Sequence, residues 1–498
     1  MLRTALVAVL GTLLWTTAAA ADPTLPLGHT GRWITDAQGR ATVLHGLNYM
    51  DKRPPYVPAA IGLGDDDAAF LHAEGFNAVR LGVMAAGIEP SPGTYSPAYM
   101  ARVVSAIRTL GRHGVMSLVD FHQDAYNKRF GGQGMPDWMV QDGGIPDLPA
   151  ALTPNSTLRI GQPSSGRVWD NFWANSPAND GVGLQDHYAR DWAVVAQAVR
   201  HLPGVIGYDL MNEPWPGSVW PLCVNAVAGC SAFDRGSLAS FYRRVIKAIR
   251  VMDPHKLVFY EPELLSGSGA GYDLGAIGDA NAVVSFHTYC VTYAIFQAPT
   301  PGCETFEQAT FNNAEAQARR SGDALLLTEF GSTPDTSILT RVAGEADTAR
   351  VGWLEWTYFS QPGDSDFPGT PSVIKDPNKK PAGSNINTSY LGAISRAYPQ
   401  AVAGTPRSWS YDAVAHRFKL SFSTQRLDGH GRFARRGLTE VVVPRRQYAR
   451  GYTAEVQGGV VVSRPGAQIL KIRRCRGSTG VGVDVSPGVR PVTRACAR

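Results

Sequence analysis

Two glutamates stand where carboxylate chemistry is expected. Glu213 lies near the end of VIGYDLMNEP (residues 205–214), an apolar run that turns polar and stops at a proline. Glu329 lies near the end of ALLLTEFG (residues 324–331), a second apolar run closed by glycine. A short apolar run bounded by turn formers reads as a buried parallel strand. Proline cannot continue a ladder of backbone hydrogen bonds, so the first strand must end by Pro214. Two glutamates at the carboxyl ends of different strands could carry out a double displacement at an anomeric carbon. One protonates the leaving oxygen and the other attacks, with carboxyls about 5–5.5 Å apart.

A closed parallel barrel would bring both to one mouth, since catalytic residues sit at the carboxyl ends of its strands. Strand patterns are read at 41–49, 77–83, 116–122, 205–213, 256–263, 282–289, 324–331 and 352–359. Helical spacing is read at 65–74, 97–113, 186–200, 234–252, 311–321, 336–350 and 389–397. Strands alternating with helices eight times predict an α/β fold, a (β/α)₈ barrel with its functional residues at the carboxyl ends of the strands. Residues 22–40 read as a leader. The 124–185 segment, rich in Gly, Pro, Asn and Trp, is a long insertion of the kind that carries function. After Pro406 short alternating runs at 417–422, 439–443, 454–456, 460–463 and 469–472 predict a small antiparallel β-sandwich. The expected division is 1–21, 22–400 and 401–498.

The motifs NEP (212–214), TEFG (328–331), DFHQD (120–124), FNAVR (76–80) and His287 with Tyr289 resemble those of glycoside hydrolase family 5. YDLMNEPW from Tyr208 and YPQAVAGTP from Tyr398 are similar to its endoglycoceramidase group. The resemblance runs from about residue 40 into the C-terminal domain. It implies that Glu213 is the acid/base and Glu329 the nucleophile. It implies that Asn212 binds the sugar 2-hydroxyl, Tyr289 donates to the nucleophile and Arg80 keeps it ionised. His122, Asp124 and His287 would contact the first sugar, with Trp356 as the floor beneath it. Lys52 either reaches the glycan or belongs to a solvated loop. Glu261 and Glu263 end another strand and match no catalytic position.

The implied reaction is hydrolysis between oligosaccharide and ceramide, without a cofactor. Tryptophans and methionines of 124–185, with residues 291–296, would line the lipid side or pack on one another. The segment Pro54–Tyr56 is more similar to a branch acting on galactosyl-linked ceramides, which leaves the first sugar open. Two other readings remain: a β-glucosidase of the same family acting on glucosylceramide, a steryl glucoside or a soluble β-glycan, and a non-catalytic glycan- or lipid-binding protein.

Residues 1–21 have a basic start, an apolar centre and small residues before the end, so a cleaved signal peptide and export are expected. Six cysteines permit fifteen connectivities. They fall into sequence-local pairs, so 223–230, 290–303 and 475–496 are expected, with Cys223, Cys230, Cys290, Cys303, Cys475 and Cys496 all bonded. No Cys-x-x-Cys occurs, and Asp65–Asp67 fits a helix start, where negative charge is favoured, better than a metal site. The chain carries 47 Lys+Arg against 42 Asp+Glu. Residues 401–498 hold 18 of the former and 5 of the latter. That basic domain either meets an anionic membrane or is a solvated arginine surface. No nucleic-acid motif accompanies it, and a monomer is expected.

Overall fold

The computed structural model describes residues 23–153, 156–224, 229–290, 302–360, 371–489 and 496. Eight parallel strands close into a barrel in chain order: β1 His45–Tyr49, β2 Ala78–Val83, β3 Met116–Phe121, β4 Val205–Asp209, β5 Leu257–Tyr260, β6 Ala282–Thr288, β7 Ala324–Phe330 and β8 Trp353–Glu355. They are buried along their whole length because helices cover the outside, which is why they read as unbroken apolar runs.

Strand residues two apart share a face, so each strand carries an inward column. The lower part of these columns is apolar, with Ala78, Leu118, Phe259 and Val283 packed together. The next positions toward the carboxyl end are Arg80, Asp120, Glu261 and Ser285, with His287 one step above Ser285, all buried. The apolar layer therefore supports a charged layer directly above it.

Two segments differ from the sequence expectation. Residues 22–40 are not a mere leader: Gly28–Thr30, Trp33–Thr35 and Ala41–Thr42 are strands of the C-terminal domain's larger sheet. Ala401 pairs with Thr42 across some 360 residues of chain. The first barrel strand consequently starts at His45, not at Ala41. The C-terminal domain is a β-sandwich of a seven-stranded and a four-stranded antiparallel sheet around one apolar core. It includes Tyr398–Val402, Thr405–Asp412 and Gly480–Pro487, which were not read from the sequence. A division at 400/401 cuts through the first of these.

This domain docks at the amino-terminal end of the barrel. Arg446 pairs with Glu74 at 2.7 Å, and Tyr398 donates to the carbonyl of Gly75, both just before β2. Arg396 meets Asp347 at 2.5 Å just before β8, and the Trp409 indole donates to the same carboxylate at 2.8 Å. The three expected disulfides, Cys223–Cys230, Cys290–Cys303 and Cys475–Cys496, are formed. Among the described residues no helix is long and apolar enough to cross a membrane.

Candidate active site

Arg80 organises the site from the middle of β2. Its guanidinium is fully buried and donates to Asp209 (2.8 Å), Asn48 (3.2 Å), Asp120 (2.9 Å), Asn212 (3.0 Å), Glu261 (2.8 Å) and Glu329 (2.5 Å). Asp120, Asp209 and Glu261 bring carboxylate oxygens close enough to hold a cation, and this guanidinium binds all three. A planar fork with five N–H groups suits such a convergence, whereas an ammonium does not.

Glu329 ends β7 at a break in register. Leu327 pairs with Phe286 while Glu329 pairs with His287, so Thr328 is the extra residue. A bulge re-aims the side chain that follows it. One Glu329 oxygen receives Arg80, and the other receives the Tyr289 hydroxyl at 2.7 Å.

Glu213 stands four residues past the end of β4, not within a strand. Its backbone adopts φ 42°, a left-handed conformation that costs a non-glycine residue about 1–3 kcal/mol. Two side chains hold it there. Glu261 accepts from the Glu213 amide at 2.9 Å. The Gln123 side chain donates to the carbonyls of Asn212 and Glu213 at 2.7 and 3.0 Å. Neither Glu261 nor Gln123 was assigned a role from sequence. Burial pushes the Glu213 carboxyl up to about 7, against the opposing pull of His287.

His287 lies between the two glutamates. Its Nδ1 is 2.9 Å from Glu213 Oε1 and 3.5 Å from Glu329 Oε2. A carboxylate oxygen of Glu213, one of Glu329 and a ring nitrogen of His287 all lie within 4.8 Å of one another. Burial disfavours charge on the imidazole, but Glu261 and Glu329 reverse this and hold it well above its ordinary range.

The remaining candidates form one wall. His122 Nδ1 meets Asp120 at 2.8 Å, and its ring stacks 5.4 Å from that of Trp356, inclined 16°. Lys52 Nζ is 2.8 Å from Asp124 and 4.4 Å from the Trp356 ring centre. The solvated-loop alternative for Lys52 is thereby excluded: the residue is buried. Burial opposes charge on Asp124, but Lys52 and His122 outweigh it and hold the carboxyl well below the usual range. Burial likewise opposes charge on His122, and Asp124 with Asp120 pushes it up to about 9. All ten candidates thus converge: Glu213, Glu329, Arg80, Asn212, His287 and Tyr289 in one network, His122, Asp124, Lys52 and Trp356 beside it.

Gln133 donates to Asp124 and also lines a cleft of about 360 Å³ bordered by Tyr56, Lys128, Asp137 and Trp138. Of the two readings of the long insertion, the structure favours self-packing for its most buried side chains. Met135, Met139 and Trp169 are buried in its own packing, so they do not form a lipid-facing surface. Residues 291–296, the other half of that expectation, lie outside the described residues. Six of the large apolar side chains that face solvent, Leu148, Leu152, Leu158, Val219, Leu222 and Val224, lie on the connections after β3 and β4; Val251, Phe306, Val414, Val462 and Val489 are exposed elsewhere.

Comparison with known proteins agrees with this geometry. Residues 35–367 match the family model described as cellulase (glycosyl hydrolase family 5), and residues 396–486 match the glycoside hydrolase family 5 C-terminal domain. Endoglycoceramidase I of Rhodococcus hoagii (strain 103S) is 31% identical over 470 residues, 91% of this chain and 86% of that protein. An endoglycoceramidase of Cyanea nozakii is 28% identical over 416 residues, covering 78% and 79%. The solved structure of endo-glycoceramidase II from Rhodococcus sp. in a five-membered iminocyclitol complex has a TM-score of 0.75 at 27% identity, covering 92% of this chain and 100% of that one. Its ganglioside GM3 complex gives 0.74 at 26%, with the same coverage. A two-glutamate site at the carboxyl end of a (β/α)₈ barrel, matched over most of its length by these models and relatives, makes this chain a glycoside hydrolase that belongs to family 5.

Proposed function

We propose that the enzyme is a retaining endo-β-glycosidase that cleaves between the oligosaccharide and the ceramide of glycosphingolipids. The observation that supports the mechanism is the close approach of the two carboxyls, one oxygen of each lying within 4.8 Å of the other with His287 between them. An inverting enzyme needs about 6.5–9.5 Å between its carboxyls to admit a water, and a retaining one about 5–5.5 Å.

In this reading Glu329 attacks the anomeric carbon while its oxygens are held by Arg80 and Tyr289. Glu213 is protonated near neutrality, because burial raises its carboxyl to about 7. It gives that proton to the leaving oxygen of ceramide. The glycosyl ester on Glu329 is then hydrolysed by water, with Glu213 taking the proton back. Asn212 spends one amide N–H on the Gln123 carbonyl at 3.0 Å, and the second serves the sugar 2-hydroxyl. His122, Asp124 and Lys52 bind the hydroxyls of the first sugar, and Trp356 stacks beneath it. Further sugars extend past Gln133 toward the 360 Å³ cleft.

Two observations support the lipid side. Two relatives aligned over 91% and 78% of this chain carry the endoglycoceramidase name. The exposed leucines and valines after β3 and β4 belong to the catalytic rim, where a ceramide tail or a lipid surface would be met. The basic C-terminal domain is attached to the other end of the barrel, so we assign lipid contact to the rim instead of to its arginines. Export is proposed from residues 1–21 together with the three disulfides, which form in oxidising compartments.

The test is incubation of the purified mature chain with a ganglioside, lactosylceramide, galactosylceramide, glucosylceramide and a cellulose oligomer. Intact oligosaccharide plus ceramide, lost in Glu213→Gln, is the expected result. Monosaccharide release alone, or cleavage of soluble glycan alone, would replace the ceramide assignment.

A further inference from the structure

A second glutamate follows Glu261 on the same connection. Glu263 is fully buried. Its Oε2 accepts from the Leu265 amide at 2.7 Å, while its Oε1 has no hydrogen-bond partner among the described residues. Beside it is a hollow of about 10 Å³, walled by Glu213, Glu261, Glu263, Ser266 and His287. His287 borders the same hollow, and its Nε2 likewise has no hydrogen-bond partner there; the nearest carboxylate oxygen, of Glu261, is 3.4 Å away. About 10–15 Å³ is the least space that holds one water, and a buried water needs two to four polar partners. This hollow offers the space and the partners, and one of its walls is the residue assigned as acid/base.

We propose that Glu263 is a positioning residue for Glu213, holding one water in this hollow against His287 and the Glu213 carboxyl. The inference rests on the acid/base role proposed above. Burial, with Asp234 adding to it, keeps the Glu263 carboxyl well above the usual range, so it enters as a neutral acid able to donate to water. The titratable groups facing it are Asp234 behind and Glu213, Glu261 and His287 across the hollow. A water that receives from Glu263 can donate to ionised Glu213, and a hydrogen bond to the charged form lowers a carboxyl's pKa. Loss of the bridge therefore raises the Glu213 pKa. Loss of a negative charge at 263 would lower it.

The experiment compares kcat/KM against pH for the full chain, Glu213→Gln, Glu263→Leu and Glu263→Gln. One substrate is a glycosphingolipid, which needs the acid. The other is a dinitrophenyl β-glycoside, which leaves without a proton. Glu263→Leu should lower kcat/KM on the glycolipid about tenfold and move its alkaline limb to higher pH. The dinitrophenyl glycoside should change by no more than about twofold. Glu263→Gln, still a donor, should recover most of the loss. Equal losses on both substrates, no loss, or a limb that moves to lower pH would overturn the proposal. Glu213→Gln must show the same split between substrates. If it does not, the acid/base reading itself fails, and if only Glu263→Leu does not, this inference fails alone. Should Glu263→Leu not fold, a crystal structure of the unaltered protein decides. A water within hydrogen-bond reach of Glu263 Oε1 and of His287 or Glu213 supports the proposal, and a dry hollow ends it.

Discussion

Glu213 and Glu329 come from different strands of the barrel, yet the ring of His287 reaches both, at 2.9 and 3.5 Å from its Nδ1. The two carboxyls differ in what surrounds them. Glu329 has donors on both oxygens, from Arg80 and Tyr289. Glu213 has His287 on one oxygen, and burial raises its carboxyl to about 7. Two nearby carboxyls in unlike surroundings can divide the roles of acid and nucleophile.

The pH profile follows from Glu213. Its folded pKa is raised, so the acid is loaded below about 7 and empties as pH rises through that value. On glycolipid, kcat/KM should fall by about tenfold for each pH unit beyond it. Initial rates across the neutral and alkaline range check this. A profile that stays level well above neutrality would remove Glu213 as the acid.

Arg80→Lys is expected to fold poorly and to lose activity. A lysine cannot reach Asp120, Asp209, Glu261 and Glu329 together, and breaking a buried ion network by removing one partner costs about 3–5 kcal/mol. Denaturant unfolding measures the stability. A variant as stable as the parent would show that the four carboxylates do not depend on the guanidinium.

Lys52→Met separates binding from folding. The substitution keeps the stem against Trp356 and removes the charge from Asp124. Burial then raises the Asp124 carboxyl without its main opposing cation, so the acidic limb of activity should move to higher pH. A loss of about tenfold or more in kcat/KM on glycolipid is expected at neutral pH. An unchanged profile with unchanged KM would place Lys52 outside the sugar site.

Asp347→Ala tests the interdomain seam. Asp347 and Arg396 are both buried, and Trp409 donates to the same carboxylate. Removing the anion leaves the guanidinium unpaired at a cost of about 3–5 kcal/mol. Because the seam is at the opposite end from Glu213, kcat of the folded protein should stay near that of the parent. A large fall in kcat without a fall in stability would link the two ends in a way this arrangement does not predict.

Much of this was legible in the sequence because the barrel obeys local rules. Each buried strand is a short apolar run, and each ends in residues too polar for the core unless they face a site. Helix starts such as Asp65–Asp67 were visible from charge alone. What escaped reading depends on contacts distant in sequence. Ala41–Thr42 looks like the start of β1 because it is apolar, but Ala401 and Val402 claim it for the other sheet. Lys52 between Asp51 and Arg53 reads equally as a glycan contact or as part of a solvated loop, and only the folded chain, which brings Asp124 and Trp356 against it, decides. Glu261 has no motif around it, since its work is to hold the Arg80 guanidinium and the Glu213 amide. The buried methionines of the insertion could not be told from exposed ones, because a long irregular segment has no periodicity to give its inner face.

The central claim is a double displacement by Glu213 and Glu329 at the bond to ceramide. It is tested most directly by following the anomeric proton of the sugar released from a glycosphingolipid by NMR in the first minutes, before mutarotation. The account predicts intact oligosaccharide appearing first as the β anomer, with Glu329→Gln inactive. First appearance of the α anomer would mean single displacement and would contradict the roles given to both glutamates.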